Sequence, residues 1–208
     1  MILDIKQQNK EMFEANFNII SNENILGSIN VKGRLGSTEV SLKGFYNNIQ
    51  FELKNINNLH EKNKNFKTYQ VIVSGKKVGE IYQVDKKTSL FSKYSYNELN
   101  YEGKYYKEYG IGLGKEVKNT IYLNENQISQ INKETIIYND LHNFKIYVKN
   151  DKYLLVAILF SCYMYINGCF KPGVKVKKSI VKCYNKTTNK ELNSKYNPNW
   201  IKEIKEEK

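Results

Sequence analysis

Apolar and polar residues alternate in short segments that recur through most of the chain before residue 150. A period of two is typical of β-strands that have one face buried and the other in water. Asn, Gly, Lys and Asp cluster between the segments, and these residues favour the tight turns that join antiparallel strands. The pattern predicts a mainly β fold of about 10–12 strands, as a sandwich or a barrel. The predicted strands are residues 11–20, 25–32, 38–46, 49–53, 68–74, 77–84, 104–109, 116–123, 127–132, 135–138 and 144–148.

One segment departs from this alternation. Residues 153–170 (YLLVAILFSCYMYINGCF) contain no formal charge and lie between Lys152 and Lys171. A helix of this length would be about 27 Å long, at the short limit for a membrane span. Its Tyr, Ser and Asn side chains are unfavourable in a membrane span. A transmembrane helix is nevertheless one of two interpretations of this segment. The other interpretation is a helix that is apolar on all sides and is buried inside a closed sheet.

Many strands followed by a single hydrophobic helix predict a closed antiparallel β-barrel around one central helix, residues 151–168. Two stretches carry a family resemblance. They are YQVIVSGKKVGEI at residues 69–81, a strand, a turn with Gly and a second strand, and FKIYV at residues 144–148, which precedes the helix. They resemble the tubby C-terminal-like superfamily, which includes the LURP-one-related proteins and the phospholipid scramblases. The resemblance implies a barrel that is threaded by the hydrophobic helix.

The extent of the resemblance divides the chain into a predicted barrel and a C-terminal extension. The resemblance covers about residues 11–170, and we expect residues 1–170 to form the barrel with its central helix. Residues 171–208 form a basic C-terminal extension, which departs from the superfamily because the helix there is commonly close to the end of the domain. Residues 55–67 (NINNLHEKNKNFK) are polar without a period, and they predict one long loop.

The extension contains two patterns of its own. Residues 174–182 alternate between apolar and basic side chains, which predicts a further strand. Trp200, Ile201 and Ile204 would share one side of a short helix that begins near Pro198. We expect that side to dock on the barrel.

The amount and the distribution of positive charge indicate which kinds of partner the protein binds. The formal net charge is +12, and 32 of the 33 basic residues are Lys, with Arg34 the exception. Residues 171–208 hold 11 Lys and 4 Glu, so +7 of that charge lies in the extension and +5 in residues 1–170. The chain also holds 28 Asn, and this Lys- and Asn-rich composition indicates that codon bias supplies part of the charge. Nucleic-acid readers depend on Arg for bidentate contacts, so nucleic acid is an unlikely partner.

The predicted binding residues are Lys32, Arg34 and Lys43, on or beside a hairpin whose turn, at residues 32–37, contains two glycines. Glycines permit a close approach of the backbone to an anion. The resemblance adds that tubby-like domains are associated with phosphoinositide or membrane binding through basic residues on the barrel exterior. We predict a non-catalytic domain that binds an anionic membrane surface or phospholipid headgroups. The alternative is a soluble scaffold or protein-interaction domain, in which these side chains are simply solvated.

The sequence offers no catalytic or metal-binding pattern. The two histidines, His60 and His142, are far from one another in sequence and are expected at the surface. Cys162, Cys169 and Cys183 form no CxxC pair, so we predict no disulfide framework, no zinc site and no cofactor. The glycine run at residues 110–115 lacks the spacing of a phosphate loop and predicts a bend or bulge.

The cellular location follows from the cysteines and the first residues. An odd number of cysteines without a paired motif favours a reducing compartment. The N-terminal residues MILDIKQQNKEMFEANF lack the apolar core of a secretory signal. These features predict a cytoplasmic protein, peripheral at the membrane where it binds lipid.

Overall fold

The computed structural model describes residues 1–34, 40–56, 68–89, 92–176, 179–182 and 185–206. The strands are β1 Ile2–Lys10, β2 Glu14–Ser21, β3 Asn24–Gly33, β4 Val40–Tyr46, β5 Ile49–Asn55, β6 Tyr69–Val73, β7 Lys76–Ser89, β8 Ser92–Tyr101, β9 Lys104–Gly114, β10 Val117–Leu123, β11 Asn126–Lys133, β12 Ile136–Tyr138, β13 Asn143–Val148, β14 Ile180–Lys182 and β15 Asn185–Lys186. The α-helices are α1 Leu154–Gly168, α2 Lys190–Asn193 and α3 Trp200–Glu206, and a 3-10 turn, Asp151–Tyr153, leads into α1.

Twelve strands, β1 to β11 and β13, form one closed antiparallel barrel. Each strand from β1 to β10 pairs with the next one along the chain, and β13 pairs with both β11 and β1. Because β13 lies between β11 and β1, the last barrel strand joins the first and no edge is left unpaired. The predicted closed antiparallel barrel of about 10–12 strands is confirmed.

Helix α1 lies inside the barrel, as the sequence predicted for residues 151–168. Ile158, Leu159 and Phe160 occupy consecutive positions, point in different directions around the helix and are all fully buried. A helix that is apolar on all sides is stable only where every side is covered, and the surrounding strands provide that cover. Within the described ranges, no helix combines the length and the apolar character that crossing a bilayer requires.

Inward-facing aromatic side chains of the strands pack against aromatic side chains of α1. The rings of Phe17 on β2 and Tyr165 on α1 meet edge to face with centroids 4.7 Å apart. Tyr69 on β6 and Tyr163 on α1 do the same at 5.9 Å. Edge-to-face aromatic pairs contribute about 0.5–1.5 kcal/mol beyond the burial of their area.

The two ends of the barrel differ. At the first end, tight turns join successive strands, and residues at positive φ, such as Asn47, Asn48 and Gly75, occupy them. Asn and Gly adopt this backbone region most easily, so the predicted hairpin turns at residues 46–48, 74–76 and 124–126 are confirmed in place. The opposite end, which we call the long-loop end, is where β9 stops, β10 and β13 begin, and α1 terminates.

The strand prediction missed two strands of the barrel, and one strand that it did identify lies outside the barrel. It missed β1, because Gln7 occupies an inward position and breaks the alternation of Leu3 and Ile5. It missed β8, because Tyr94 points outward and is nevertheless buried. The predicted strand 135–138 is β12, which lies outside the barrel and pairs with β14.

The extension lies against the outside of the barrel. Asn185 and Lys186 of β15 pair with the end of β9, and Leu192 packs on Tyr94, Tyr109 and Ile111. This cover explains why outward-facing aromatic residues of β8 and β9 are buried. Of the strand predicted within residues 174–182, β14 is present, and residues 177 and 178 lie outside the described residues. The predicted C-terminal helix is α3. In α3, Trp200 and Ile204 are buried.

Candidate functional site

The predicted binding residues lie together on the outside of the barrel. Lys32 on β3 and Lys43 on β4 both point outward and are exposed, and Arg34, directly after β3, is exposed as well. Lys32 faces Ser41 across the β3–β4 ladder, which makes Lys43 its diagonal neighbour. Side chains in this relation are roughly 7–8 Å apart. The rest of the predicted hairpin turn, residues 35–37, lies outside the described residues, as do residues 38 and 39 of the strand predicted after it.

We call the group of Lys32, Arg34, Lys43 and Lys54 the outer basic face. Lys54 is exposed on β5, opposite Ser41, and extends the row to a third strand. Two carboxylates lie beside these cations. Glu14 faces Lys32 across the β2–β3 ladder, and Glu52 Oε2 lies 3.9 Å from Lys43 Nζ. These four basic and two acidic side chains give the outer basic face and its neighbours a net charge of +2.

A depression of about 400 Å³ adjoins the outer basic face. Lys43, Asn30, Gln50 and Ile72 contribute to its lining, together with Phe45. Phe45 is the last residue but one of β4, beside the hairpin turn, and is 40% exposed. The face therefore combines cations, amide groups and one accessible aromatic ring.

A second candidate site lies inside the barrel at the long-loop end, which we call the inner cavity. Its volume is about 350 Å³, and it lies between the last turn of α1, at Asn167 and Gly168, and the strands β8 to β11. Its polar lining includes Asn97, Glu108 and Asn119. Polar side chains at inward positions are rare in a barrel that is otherwise filled by apolar groups.

Strand register brings these polar groups together. Asn97 on β8 faces Glu108 on β9, and Gly110 on β9 faces Asn119 on β10. Asn97 Nδ2 donates to Glu108 Oε2 at 2.5 Å. Asn119 Nδ2 donates to the carbonyl of Ile131 at 3.4 Å, which turns Asn119 Oδ1 to the opposite side.

Glu108 is the chemically unusual residue of the inner cavity. It is 2% exposed, and no basic side chain in the described part of the chain forms an ion pair with it. Burial raises the pKa of Glu108 to about 7, and the hydrogen bond from Asn97 acts in the opposite direction. Removing a carboxylate from water disfavours its charged form, which is the physical cause of the shift.

Polar contacts also link the end of α1 to neighbouring strands. Lys133 Nζ donates to Cys169 Sγ at 3.0 Å, directly after the last turn of the helix. His142 Nε2 lies 3.2 Å from Asp140 Oδ1, and Asp140 also forms a close ion pair with Lys10. A cation near a helix C-terminus is stabilised by the helix dipole.

The expectation of a surface location for His142 was wrong. The residue is buried, because its backbone N–H donates to the inward side chain of Gln7 at 2.8 Å and draws the connection before β13 over the barrel end. Burial lowers the pKa of His142 to about 4, and the cation of Lys133 contributes. His60, the other histidine, lies outside the described residues.

The bend predicted at residues 110–115 is confined to the end of the run, at Lys115 after Gly114, whose φ is positive. Residues 110–114 continue β9, and Gly112 allows β15 to approach: a Cβ there would lie 2.5 Å from the carbonyl oxygen of Asn185. Cys162 is buried, and burial raises the pKa of its thiol. Among the residues that the structure describes, no group of three His, Cys, Asp or Glu side chains is arranged to hold a metal ion.

The sequence did not identify the inner cavity. Its residues come from different strands, and only the register places them side by side. One signal was present: Glu108 follows Tyr106 by two positions, so the period of β9 puts a carboxylate on the inward face.

Comparisons with models of protein families, with curated proteins and with solved structures found no match to this chain. The resemblance to the tubby C-terminal-like superfamily therefore stays a prediction.

Proposed function

We propose that this protein is a non-catalytic binding domain whose outer basic face associates with anionic phospholipid surfaces. The observation that carries the proposal is the exposure of Lys32, Arg34 and Lys43 on one outward face of β3 and β4. The closed barrel around a hydrophobic helix supports the further proposal of a relationship to the tubby C-terminal-like superfamily, with a cytoplasmic protein that is peripheral at the membrane.

The electrostatics favour such a surface. Near an anionic leaflet each Lys or Arg contributes about 1 kcal/mol, so three residues contribute about 3 kcal/mol, or roughly a hundredfold in affinity. Glu14 and Glu52 reduce this sum where they lie close to Lys32 and Lys43. Phe45 adds an exposed aromatic ring beside the cations, and the interface of a bilayer accepts such rings.

A protein-interaction domain is the second candidate, and one observation favours it. Ile136, Tyr138 and Ile180, on the small β12–β14 sheet outside the barrel, are all exposed. Exposed apolar side chains that lie together are typical of protein contacts.

Co-sedimentation with vesicles separates the two candidates. The full chain is mixed with vesicles of phosphatidylcholine alone or of phosphatidylcholine with phosphatidylserine, at low and at high salt. Lipid binding predicts sedimentation with the anionic vesicles only, which weakens at high salt because ions screen the charges. A chain that stays in the supernatant with anionic vesicles at low salt would leave the protein-interaction domain as the better proposal.

A further inference from the structure

The inner cavity presents hydrogen-bond acceptors without matching donors. Glu108 and Asn119 are 98% and 96% buried, from exposed fractions of 2% and 4%. Within the described part of the chain, Glu108 Oε2 and Asn119 Nδ2 have partners, whereas no hydrogen bond reaches Glu108 Oε1 or Asn119 Oδ1. Neither oxygen is among the fully enclosed side-chain atoms that lack a partner, so both face the cavity, where a donor can reach them.

Both oxygens border the same space. A Cβ on Gly110 would lie 3.1 Å from Asn119 Oδ1 and 3.9 Å from Glu108 Oε1. Glycine keeps that point unfilled, and Gly110 itself is exposed, so the point is accessible from solvent. A group placed there would meet two acceptor oxygens at once.

The charges that line the cavity favour a cation. Lys133 and Glu134 also belong to the lining, but each already has a partner: Lys133 Nζ donates to Cys169 Sγ, and Glu134 Oε2 accepts from Asn143 Nδ2 at 3.0 Å. The lining holds two carboxylates, Glu108 and Glu134, and one cation, Lys133, so a further cation would balance its charge. Burial of a carboxylate is unfavourable until a counter-ion compensates it.

We propose that the inner cavity binds a small molecule that carries a protonated primary amine, with Glu108 as the counter-ion and Asn119 Oδ1 as the second acceptor. An ammonium group has three N–H donors and no acceptor, which complements two converging oxygens. The cavity of about 350 Å³ fits a small molecule rather than a polymer. This site lies inside the barrel and does not depend on the outer basic face.

The test uses n-butylammonium chloride as the probe and n-butanol as its neutral analogue, both added to the full chain at constant ionic strength. The readout is the backbone amide signal of Gly110 in nitrogen-15 NMR spectra, together with the melting temperature. We expect a saturable shift of the Gly110 signal with n-butylammonium and none with n-butanol. No saturable shift with the amine beyond that of sodium chloride, or an equal response to the alcohol, would overturn the proposal.

Two variants locate the effect. Glu108→Gln keeps an acceptor for Asn97 and removes the charge, so it should fold and bind the amine about tenfold more weakly. Gly110→Ala fills the space between the two oxygens and should also weaken binding. Glu125→Gln, a change of the same type at a side chain that is 90% exposed at the other barrel end, is the matched control and should bind as the wild type does. Unchanged affinity in Glu108→Gln would contradict the assignment.

Discussion

The side chain of Gln7 on β1 donates a hydrogen bond from Nε2 to the hydroxyl of Tyr165 on α1, over 3.1 Å. Both side chains are buried, and Gln7 Oε1 accepts from the backbone of His142 at 2.8 Å. One inward-facing amide thus connects the first strand, the central helix and the connection before β13. The residue that broke the alternation of β1 is the residue that fixes the helix within the barrel.

Removing the hydroxyl of Tyr165 tests this connection. Tyr165→Phe keeps the ring contact with Phe17 but deprives Gln7 of one acceptor. We expect the free energy of unfolding to fall by about 1 kcal/mol. Urea denaturation measures it, and Tyr105→Phe, at an exposed tyrosine, is the control with no expected change. Equal stability of Tyr165→Phe and the wild type would show that this hydrogen bond contributes nothing.

Truncating a core side chain of α1 should lower the free energy of unfolding more than removing the hydroxyl of Tyr165 does. Ile158 is fully buried at the centre of the helix, so Ile158→Ala should lower the free energy of unfolding by about 2–5 kcal/mol through lost contacts and a cavity. Ile25→Ala makes the same change at a side chain that is 64% exposed and should have little effect. Thermal melting of both variants provides the comparison. Similar melting temperatures would contradict the burial of α1.

Glu108 and His142 make opposite contributions to the pH dependence of stability. The pKa of Glu108 rises from 4.5 to about 7 on folding, so the native state holds an extra proton in that range and stability falls as pH rises through it. The pKa of His142 falls from 6.5 to about 4, so its contribution to stability is lost as pH falls through that range. The two trends offset each other between about pH 4.5 and 6.5.

Comparison with Glu108→Gln isolates the carboxylate. A shift from 4.5 to about 7 corresponds to about 3 kcal/mol, so the variant should gain stability relative to the wild type by an amount of that order between pH 4.5 and 8. Denaturant unfolding of both proteins across this range measures the difference. A difference that is independent of pH would mean that the pKa of Glu108 is not shifted. His142 is present in both proteins, so its titration does not affect the difference.

We expect a substitution of Lys195 to weaken the docking of the extension on the barrel. Lys195 Nζ lies 5.6 Å from the ring centroids of both Tyr109 and Tyr122, and the backbone carbonyl of Lys195 accepts from Thr120 at 2.9 Å. Lys195→Gln removes the cation and should destabilise the docked extension by about 0.5–2 kcal/mol. Hydrogen exchange of the amides in α2 should become faster. Lys202→Gln, at a side chain that is 79% exposed, is the control, and equal exchange in both variants would refute the role of Lys195.

The architecture was largely predictable, because its main determinants are local. An uncharged helix without a polar side requires burial on every side, and period-two segments joined by Asn- and Gly-rich turns supply a sheet to bury it. The errors occurred where an inward position is polar, as at Gln7, or an outward one is aromatic and covered, as at Tyr94. Local alternation cannot show which distant segment covers a strand.

The two candidate sites also differ in how far the sequence alone could reveal them. Lys32, Arg34 and Lys43 could be identified because they are basic residues close together in sequence. The inner cavity could not, because Asn97, Glu108 and Asn119 meet through the registers of β8, β9 and β10, which no single segment encodes.

The most direct test of the proposed function compares two triple variants in vesicle co-sedimentation. The first replaces Lys32, Arg34 and Lys43 with Gln. The second replaces three exposed lysines elsewhere, Lys87, Lys104 and Lys202, and changes the net charge equally. With phosphatidylserine-containing vesicles at low salt, we expect the first variant to lose roughly a hundredfold in affinity and the second to bind nearly as the wild type does. Equal losses in both variants would contradict a binding role for the outer basic face.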